Sequence, residues 1–469
     1  MPSTRAIKAS RAKVDKEATR ELACFAAELT YEKIPSLVIE HIKLCLLDTF
    51  GCGLFGSTLP WTKIVTDFAQ ELGGRRESTV WGRRLKVSVP NAALANGTAV
   101  HSFELDDLHK TSIVHPGAIA VPPALAVAEH VGGCDGKEFL TAVVAGYEVA
   151  IRVGMSVGTS HLQRGFHPTG TNGTFGAGAA AGRILRLDPD KMTHALGIAG
   201  TQAAGLMAAQ YSAMVKRMHA GRAAQSGVYG ALLARKGLTG ITNILEADYG
   251  GYCTAMAETC DMEKLTAGLE KVFETARVGF KPYAAGGSTH TAHEAVKSVM
   301  EKNNLTADII DKITIRATTV TYHHTSWEYK PEGVTAAQMN MPYVVAVTTL
   351  EHDVFIDQFT EEKIKDPRII ELSRKVKVIP DPELDKLGPE LRHAVIAEIK
   401  TKDGRTFSER VDTAKGSDKR PMTNDDVLHK YRVLAGKVLS KNRVAELQDA
   451  VQNLERCLSI KEFAELLMP

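Results

Sequence analysis

Apolar positions along residues 16–279 recur mostly every three or four residues, which is the periodicity of helices with a buried face. Alanine and glycine are frequent within this pattern, as in GAGAAAGRIL (176–185), and small side chains let neighbouring helix axes approach closely. The pattern predicts a helical stretch from Lys16 to the glycines at 51 and 53. Further helices are predicted at 118–131, 137–156, 173–186, 189–210, 221–236 and 262–274.

The periodicity changes near Phe280, where alternating and β-branched residues begin. Strands are predicted at 311–320 and 375–381, and residues 394–411 predict a hairpin that turns at Asp403–Gly404. Two helical stretches lie among these strands, at 288–303 and 335–350.

The helical pattern returns after residue 412. Thr423, followed three residues later by Asp426, is a typical helix start, and the helices continue to Leu467. We therefore predict a mainly α fold. One large all-helical domain is built from both chain ends, residues 1–279 and 413–469, and a smaller α+β lid domain, residues 280–412, is inserted into it.

Composition and charge limit the classes of partner. The chain has 469 residues, which favours two domains, and its formal net charge of +2 gives no electrostatic case for nucleic acid or a membrane surface as a partner. No run of 18 apolar residues predicts a membrane span. The seven scattered cysteines contain no CxxC pair, which indicates a reducing compartment, so we expect a cytoplasmic protein. The basic N-terminus, without an acid until Asp15, is either a tail or a transit peptide for the mitochondrial matrix.

Ionisable residues concentrate in four stretches, each close to a helix rich in small residues. The first, residues 101–115, contains three acids and three histidines: His101, Glu104, Asp106, Asp107, His109 and His115. The other three, at 164–176, 211–227 and 280–296, contain His167 and Thr171; Lys216, His219 and Arg222; and Lys281, Tyr283, Ser288 and His290. Spacing of three residues predicts that Lys216, His219 and Arg222 share one helix face.

These residue types together predict a polar cleft for a carboxylate-bearing substrate. Lysine, arginine and helix N-termini attract carboxylates, and an acid beside a histidine supplies acid–base chemistry near neutral pH. The alternative is a set of solvated loops that precede core helices.

Two other motifs resemble a phosphate-binding loop and a metal site, but neither is complete. GAGAAAG (176–182) follows no strand and lacks the lysine of a phosphate-binding loop. His290 and His293 have the spacing of metal ligands, but a third ligand is missing from the motif, so we predict no metal and no cofactor. We expect His290 to face the cleft as a proton donor and His293 to pack or meet solvent.

The four stretches together resemble the MmgE/PrpD family. The resemblance rests on HSFELDDLHKTSIVHPGA, GFHPTGTNGTFGAGAAAGRIL, VKRMHAGRAAQSG and FKPYAAGGSTHTAHEA, and it runs in order over roughly residues 15–465. It implies a metal-free homodimer with a helical domain, an inserted lid and an active site between them. The resemblance places catalytic residues at Glu104 (an aspartate in the family), His115, His167, Lys216, His290 and Tyr322.

The function we predict is a lyase for a small di- or tricarboxylate, and (de)hydration of the 2-methylcitrate dehydratase type is our first choice. Asp106 or Glu104 is expected to orient His115, which moves a proton next to a carboxylate. The other expected roles are stabilisation of the carbanion by Lys216 and His167, protonation of a leaving hydroxyl by His290 or Tyr322, and substrate binding by His109, Thr171, Arg222 and Lys281.

Two other reactions use the same parts. Decarboxylation of the cis-aconitate type needs the cations and a proton donor, and epimerisation of the iminodisuccinate type needs an acid and a base on opposite faces. The non-enzyme alternative is a helical scaffold that binds an organic anion.

Overall fold

Helices dominate the computed structural model, which describes residues 17–469; the predicted basic tail or transit peptide lies outside that range. The helices before residue 280 are α1 (Ala18–Glu28), α2 (Ser36–Gly56), α3 (Pro60–Glu71), α4 (Val89–Val100), α5 (Pro116–Val131), α6 (Gly136–Gln163), α7 (Pro168–Ile184), α8 (Pro189–Gly200), α9 (Val215–Arg235), α10 (Tyr252–Met256) and α11 (Glu263–Thr266). The later helices are α12 (His290–Asn303), α13 (Thr319–Thr325), α14 (Val334–Met339), α15 (Met341–Glu351), α16 (Pro367–Arg374), α17 (Pro382–Asp385), α18 (Asn424–Ala435), α19 (Lys441–Gln452) and α20 (Ile460–Phe463). The strands are β1 (Ser78–Val80), β2 (Leu85–Val87), β3 (Ile310–Ala317), β4 (Val376–Pro380), β5 (Val395–Thr401) and β6 (Thr406–Val411).

Both chain ends share the larger hydrophobic core. Helices α18 and α19 pack against α2, and buried residues from Ala18 to Leu467 belong to this one cluster. The predicted start of α18 is confirmed, because Thr423 and Asp426 form a reciprocal capping box. The mainly α fold is therefore confirmed, while the domain boundaries at residues 279 and 412 stay predictions.

Small residues bring the central helices close together, as their frequency predicted. Helix α9 packs against α4, α7 and α8. A Cβ atom on Gly227 of α9 would lie 2.3 Å from Cβ of Ala177 on α7, and one on Gly221 would lie 2.2 Å from the carbonyl oxygen of Leu94 on α4. Larger side chains there would push the helix axes apart, and α9 carries cleft residues at its N-terminal end.

A second core surrounds a four-stranded sheet with strand order β4-β3-β5-β6. Strand β3 pairs parallel with β4 and antiparallel with β5, and β5 pairs antiparallel with β6 through the predicted hairpin. Gly404 has φ +91°, which the turn requires and which glycine adopts at low cost. Helices α12 and α15 contribute Val296 and Val345 to this core.

Two of the predicted helices are longer than the helices that the structure contains. The helix predicted at 189–210 ends at Gly200, because Gly205 has φ +143° and its carbonyl accepts a hydrogen bond from the backbone N–H of His167 at 3.0 Å. The helix predicted at 262–274 is reduced to α11, because the Arg152 guanidinium binds the carbonyls of Ala267 and Val272 at 2.7 and 2.8 Å. The small β1–β2 hairpin was not predicted.

Helix α6 is the one helix in the described range that is long and apolar enough to cross a membrane. Within its apolar window, 94% of the residues are buried inside the protein. This burial is typical of a central core helix, which presents its apolar surface to other helices and not to lipid.

Candidate active site

A cavity, here called the inner cavity, lies where the α4–α5 loop meets the starts of α7 and α9 and residues of the 280–412 region. Its ionisable and hydroxyl lining residues are Glu104, His115, His167, Lys216, Lys281, Ser288, His324, Arg392 and His393. Each of the four polar stretches contributes at least one of them. The described residues that line it are buried or half-buried, so little of its wall faces bulk solvent.

Glu104 is the electrostatic centre of the helical side. Its carboxylate forms ion pairs with Lys216, with Arg217 at 2.6 Å and with Lys281 at 3.0 Å. Burial raises the pKa of Glu104, but these three cations outweigh that effect and hold it well below its usual range. The carboxylate is therefore ionised and fully engaged, which makes it a counter-charge for the cations and a poor base.

The backbone at Glu104 is strained. Its φ is +55°, in the left-handed region that residues with a Cβ atom rarely adopt. Such conformations persist where the surroundings fix them, and here the three ion pairs of the buried carboxylate do so.

Asp106 lies between two histidines. Its Oδ2 is 2.7 Å from Nδ1 of His101, and its Oδ1 is 3.3 Å from Nδ1 of His115. Burial raises the pKa of Asp106, but contact with the two imidazoles holds it well below the usual range, so the carboxylate is ionised. Burial lowers the pKa of His101 to about 4 despite this contact, so His101 is neutral near pH 7. Of the two acids expected to orient His115, Asp106 is therefore the one in contact with it.

Two helices begin at the cavity wall with a histidine followed by proline. His115 precedes Pro116 at the start of α5, and His167 precedes Pro168 at the start of α7. A helix N-terminus carries a partial positive charge, which favours an anion in front of it. Nδ1 of His167 lies 3.0 Å from Nδ1 of His219, and burial and the charge of Lys216 hold the pKa of His167 well below its usual value. His167 is therefore a neutral hydrogen-bonding group.

On the opposite wall, Arg392 is buried without a carboxylate partner in the described part of the chain. Its guanidinium donates a hydrogen bond to the backbone carbonyl of Lys110 at 2.6 Å. Burial lowers its pKa to about 10, so it remains charged at neutral pH. A buried arginine of this kind presents free N–H groups in the geometry that binds carboxylates.

The charges around the inner cavity do not balance. Three cations line it, Lys216, Lys281 and Arg392, against one carboxylate, Glu104. This leaves a surplus of two positive charges, before any charge on the histidines is counted. A secluded, positively charged cavity favours a small anion with two or more carboxylates.

Comparison with known proteins agrees with the motifs. The MmgE/PrpD N-terminal domain model matches residues 20–263, and the MmgE/PrpD C-terminal domain model matches residues 283–456. The chain belongs to the MmgE/PrpD family. Cis-aconitate decarboxylase of Aspergillus terreus is 32% identical to this MmgE/PrpD chain over 469 residues, which cover 96% of the chain and 95% of the relative. The cis-aconitate decarboxylases of Mus musculus and Homo sapiens are each 30% identical, over 94% of this chain and 91% and 92% of their own lengths.

Three residues expected to bind substrate lie away from the inner cavity of this MmgE/PrpD protein. Arg222 is exposed and donates to Gln225 at 2.6 Å, because six helical residues turn it about 240° from Lys216. His109 is buried against Ser112 and Glu274, at 3.0 and 3.4 Å.

The third residue, Thr171, is also buried away from the inner cavity. Its hydroxyl lies 2.6 Å from Nε2 of His161. Of the four residues expected to bind substrate, only Lys281 lines the inner cavity.

Two residues expected to protonate a leaving group also lie outside the inner cavity. Nε2 of His290 donates to the carbonyl of Ala285 at 3.0 Å, and burial and the charge of Lys281 lower the pKa of His290 to about 3. The ring is neutral and its one N–H is occupied, which disfavours its role as an acid. Tyr322 is half-buried and packs its ring against that of His323.

The HxxH pair does not converge on a common point, because His290 bonds Ala285 while Nδ1 of His293 contacts the hydroxyl of Thr348 at 2.8 Å. As expected, His293 packs. Another group of possible ligands in the described range is His101, Asp106 and His115, whose ligand atoms lie within 4.8 Å of one another. Nδ1 of His101 already hydrogen-bonds Oδ2 of the carboxylate, while Nδ1 of His115 lies near Oδ1 without a hydrogen bond. The absence of a metal from the mechanism stays a prediction.

Several residues at or next to the inner cavity were not predicted from the sequence. Arg217, which pairs with Glu104, follows Lys216 directly, and both are buried at the start of α9. Arg392 and His393 precede β5 without any motif around them. The one available signal was the pair His323–His324, of which the first is exposed and the second lines the cavity.

Proposed function

We propose that this MmgE/PrpD protein is a lyase that decarboxylates a small unsaturated tricarboxylate of the cis-aconitate type. The observation that carries the proposal is the surplus of positive charge around the secluded inner cavity, with Arg392 as a cation that lacks a protein counter-charge. The names of relatives that match nearly the whole chain support this choice of reaction.

The proposed reaction removes one carboxylate and consumes one proton. The bond from the substrate's CH2 carbon to its carboxylate breaks and releases CO2, and that electron pair forms a new double bond. The electrons of the old double bond move to its far carbon, which then takes a proton. Negative charge grows on that carbon and its attached carboxylate, so cations placed there beforehand lower the barrier.

The helical side of the cavity supplies stabilisation of this charge. Lys216 reaches the cavity while its charge is partly offset by Glu104, and His167 adds a neutral hydrogen-bonding group at the start of α7. Nδ1 of His115 lies 3.3 Å from Oδ1 of Asp106, and we assign Nε2 as the nitrogen that meets the substrate. His115 is therefore assigned to the carboxylate on which charge grows.

Dehydration, the first choice from sequence, requires in addition an acid that protonates a departing hydroxyl. The two residues expected to do this, His290 and Tyr322, do not line the inner cavity. The roles expected of these two residues in (de)hydration are therefore unsupported, and the names of the relatives favour decarboxylation.

The test is incubation of the purified protein with cis-aconitate, 2-methylcitrate, citrate and iminodisuccinate in D2O, followed by NMR and CO2 measurement. We expect CO2 release from cis-aconitate and one deuterium in the product's saturated CH2 group. Addition or loss of water without CO2 would replace the proposal with (de)hydration, and exchange at a stereocentre alone would indicate epimerisation. Binding without any turnover or exchange would favour the scaffold.

A matched pair of variants on α9 ties turnover to the cavity. Lys216→Met removes the cavity ammonium, and we expect at least a ~10²-fold loss of kcat/KM, as for other preorganised charge-stabilising groups. Arg222→Met removes a cation from the exposed face of the same helix, and activity should be unchanged within about twofold.

A further inference from the structure

The hydroxyl of Ser288 joins two imidazoles from distant parts of the chain. Oγ of Ser288 lies 3.0 Å from Nδ1 of His324 and 3.2 Å from Nε2 of His393. Ser288 is 4% exposed and lies in a short 3-10 turn, His324 lies on α13, and His393 precedes β5. Three separate elements therefore build one continuous chain of hydrogen-bonding atoms.

All three residues line the inner cavity, and one end of the chain also reaches a second cavity. His324 lines the inner cavity, and its Nε2 is buried with no hydrogen-bond partner among the described residues. His393 lines both the inner cavity and a second one, here called the outer cavity. The outer cavity includes the exposed residue Asp418 and the half-buried Arg277 in its lining, so it communicates with solvent.

A serine hydroxyl between two imidazoles couples their tautomers. It has one proton to donate, so when it donates to Nδ1 of His324 it must accept from Nε2–H of His393. His324, which lines the inner cavity, then carries its proton on Nε2 and can donate it. When the hydroxyl turns toward His393, the pattern reverses and Nε2 of His324 becomes an acceptor.

We propose that His324, Ser288 and His393 form a proton relay from the outer to the inner cavity, which supplies the proton that the decarboxylation consumes. This inference rests on the proposed function. The proton on Nε2 of His324 passes to the substrate carbon, and the Ser288 hydroxyl proton moves to Nδ1 of His324. The proton on Nε2 of His393 moves to Ser288, and Nδ1 of His393 takes one proton from water in the outer cavity. One proton enters and one leaves. The first state returns after product release, when Nε2 of His324 takes a proton from water in the inner cavity, protons pass back through Ser288 to Nε2 of His393, and Nδ1 of His393 releases one to water.

The surroundings keep both rings neutral between turnovers. Burial and the charge of Lys216 lower the pKa of His324 to about 4, and burial and the charge of Arg392 hold the pKa of His393 well below its usual value. A stored imidazolium beside these cations would be costly, so a concerted shift along neutral rings suits this cavity. The cations also attract the substrate without giving up a proton themselves.

The first test is Ser288→Ala, which interrupts the relay and leaves both histidines. We expect kcat to fall by at least ~10²-fold, the usual contribution of a positioned proton donor, with little change in KM and a larger solvent isotope effect. Ser288→Thr keeps the hydroxyl and should retain most activity. Thr291→Val is the matched control, because Thr291 is a buried hydroxyl on the next turn that donates to the backbone carbonyl of His393 at 2.6 Å and not to its ring. A raised KM with unchanged kcat in Ser288→Ala would overturn the relay and make Ser288 a substrate-binding residue.

The second test is chemical rescue. His393→Ala should lose kcat to a similar extent, and added imidazole, entering through the outer cavity, should restore part of it. Rescue should vanish in the double variant His393→Ala with Ser288→Ala, because the hydroxyl link is then missing. Equal rescue with and without Ser288 would show that the proton bypasses the relay.

A third measurement does not depend on turnover and separates failure of the relay from failure of the proposed function. Nitrogen-15 NMR of histidine-labelled protein reports the tautomer of each ring. With the relay, Ser288→Ala changes the tautomer populations of both His324 and His393, whatever the substrate is. A change in neither ring or in only one overturns the relay, even if cis-aconitate is decarboxylated.

Discussion

Replacing Glu104 by glutamine tests whether the buried carboxylate holds the cavity together. The change keeps the size and shape of the side chain and removes its charge. Lys216, Arg217 and Lys281 would then remain buried around a neutral amide, with no other carboxylate paired to them in the described part of the chain. We expect Glu104→Gln to destabilise the protein far more than removal of a surface carboxylate does.

The magnitude follows from burial. Removing one partner of a buried ion pair costs about 3–5 kcal/mol, because the remaining charge is left without compensation. Unfolding entropy of about 2.1 cal/mol/K per residue gives roughly 1 kcal/mol/K for a chain of 469 residues. The expected fall in Tm is therefore ~3–5 °C at neutral pH.

The pH dependence has a definite sign. The native pKa of Glu104 lies well below its unfolded value of about 4.3, so its stabilisation is complete above that unfolded value and is lost as the pH falls through the native pKa. The Tm difference between wild type and Glu104→Gln should persist from pH 8 to pH 5 and narrow in stronger acid.

Calorimetry at several pH values is the assay, and Glu361→Gln is the matched control. Glu361 pairs with Lys365 at 3.1 Å, but both side chains are more than half exposed, and such pairs contribute about 0–1 kcal/mol. If Glu104→Gln and Glu361→Gln lowered Tm equally at neutral pH, the buried cations would not depend on Glu104. If the Tm difference were constant down to strong acid, the native pKa of Glu104 would not be depressed as described.

Other perturbations test the remaining parts of the cavity. His115→Ala should lower kcat by at least ~10²-fold with folding intact, measured by steady-state kinetics and circular dichroism; a loss under tenfold would remove His115 from the mechanism. Arg392→Gln should raise KM by roughly 10- to 150-fold, since a hydrogen bond to a charged group contributes about 1.5–3 kcal/mol, and an unchanged KM would place the substrate elsewhere. Exhaustive EDTA or phenanthroline treatment should leave activity intact, with far less than one metal per chain by elemental analysis; loss of activity that zinc restores would place a metal in the mechanism.

Periodicity and capping predicted most of the fold, because these signals are local. Helix α5 was predicted at 118–131 and lies at Pro116–Val131, and the hairpin around Asp403–Gly404 was predicted with its turn. The errors arise where a side chain from a distant part of the sequence hydrogen-bonds to backbone carbonyls. Arg152 binds two carbonyls more than a hundred residues away, and no pattern within 262–274 reports that contact.

The candidate site was predictable to the level of polar stretches and not to the level of individual side chains. Spacing identified Lys216 correctly as a cavity residue, but it grouped Lys216 with Arg222, although 100° per residue turns the arginine away. Arg217 was overlooked because two neighbouring cations rarely both point inward; here the shared carboxylate of Glu104 makes this possible. Arg392 has no motif, and only the fold brings it to the cavity.

The acidic loop between α4 and α5 shows why adjacent acids acquire different roles. Asp107 accepts hydrogen bonds from the N–H of Gly117 at 2.9 Å and from the hydroxyl of Tyr147 at 2.7 Å, so it anchors the first turn of α5. Asp106 points the other way, to His101 and His115. Glu104, with its longer side chain and left-handed backbone, reaches the cations instead.

This division also sets the charge of the inner cavity. Asp107 accepts a hydrogen bond from the first turn of α5, so its charge does not offset the cations of the cavity. Glu104 alone cannot balance the charges of its three cationic partners. An additional free carboxylate in the cavity would offset the charge that attracts the substrate. A substrate carboxylate therefore has to supply the missing negative charge. When one substrate carboxylate leaves as CO2, the product would bind the same cations more weakly than the substrate did.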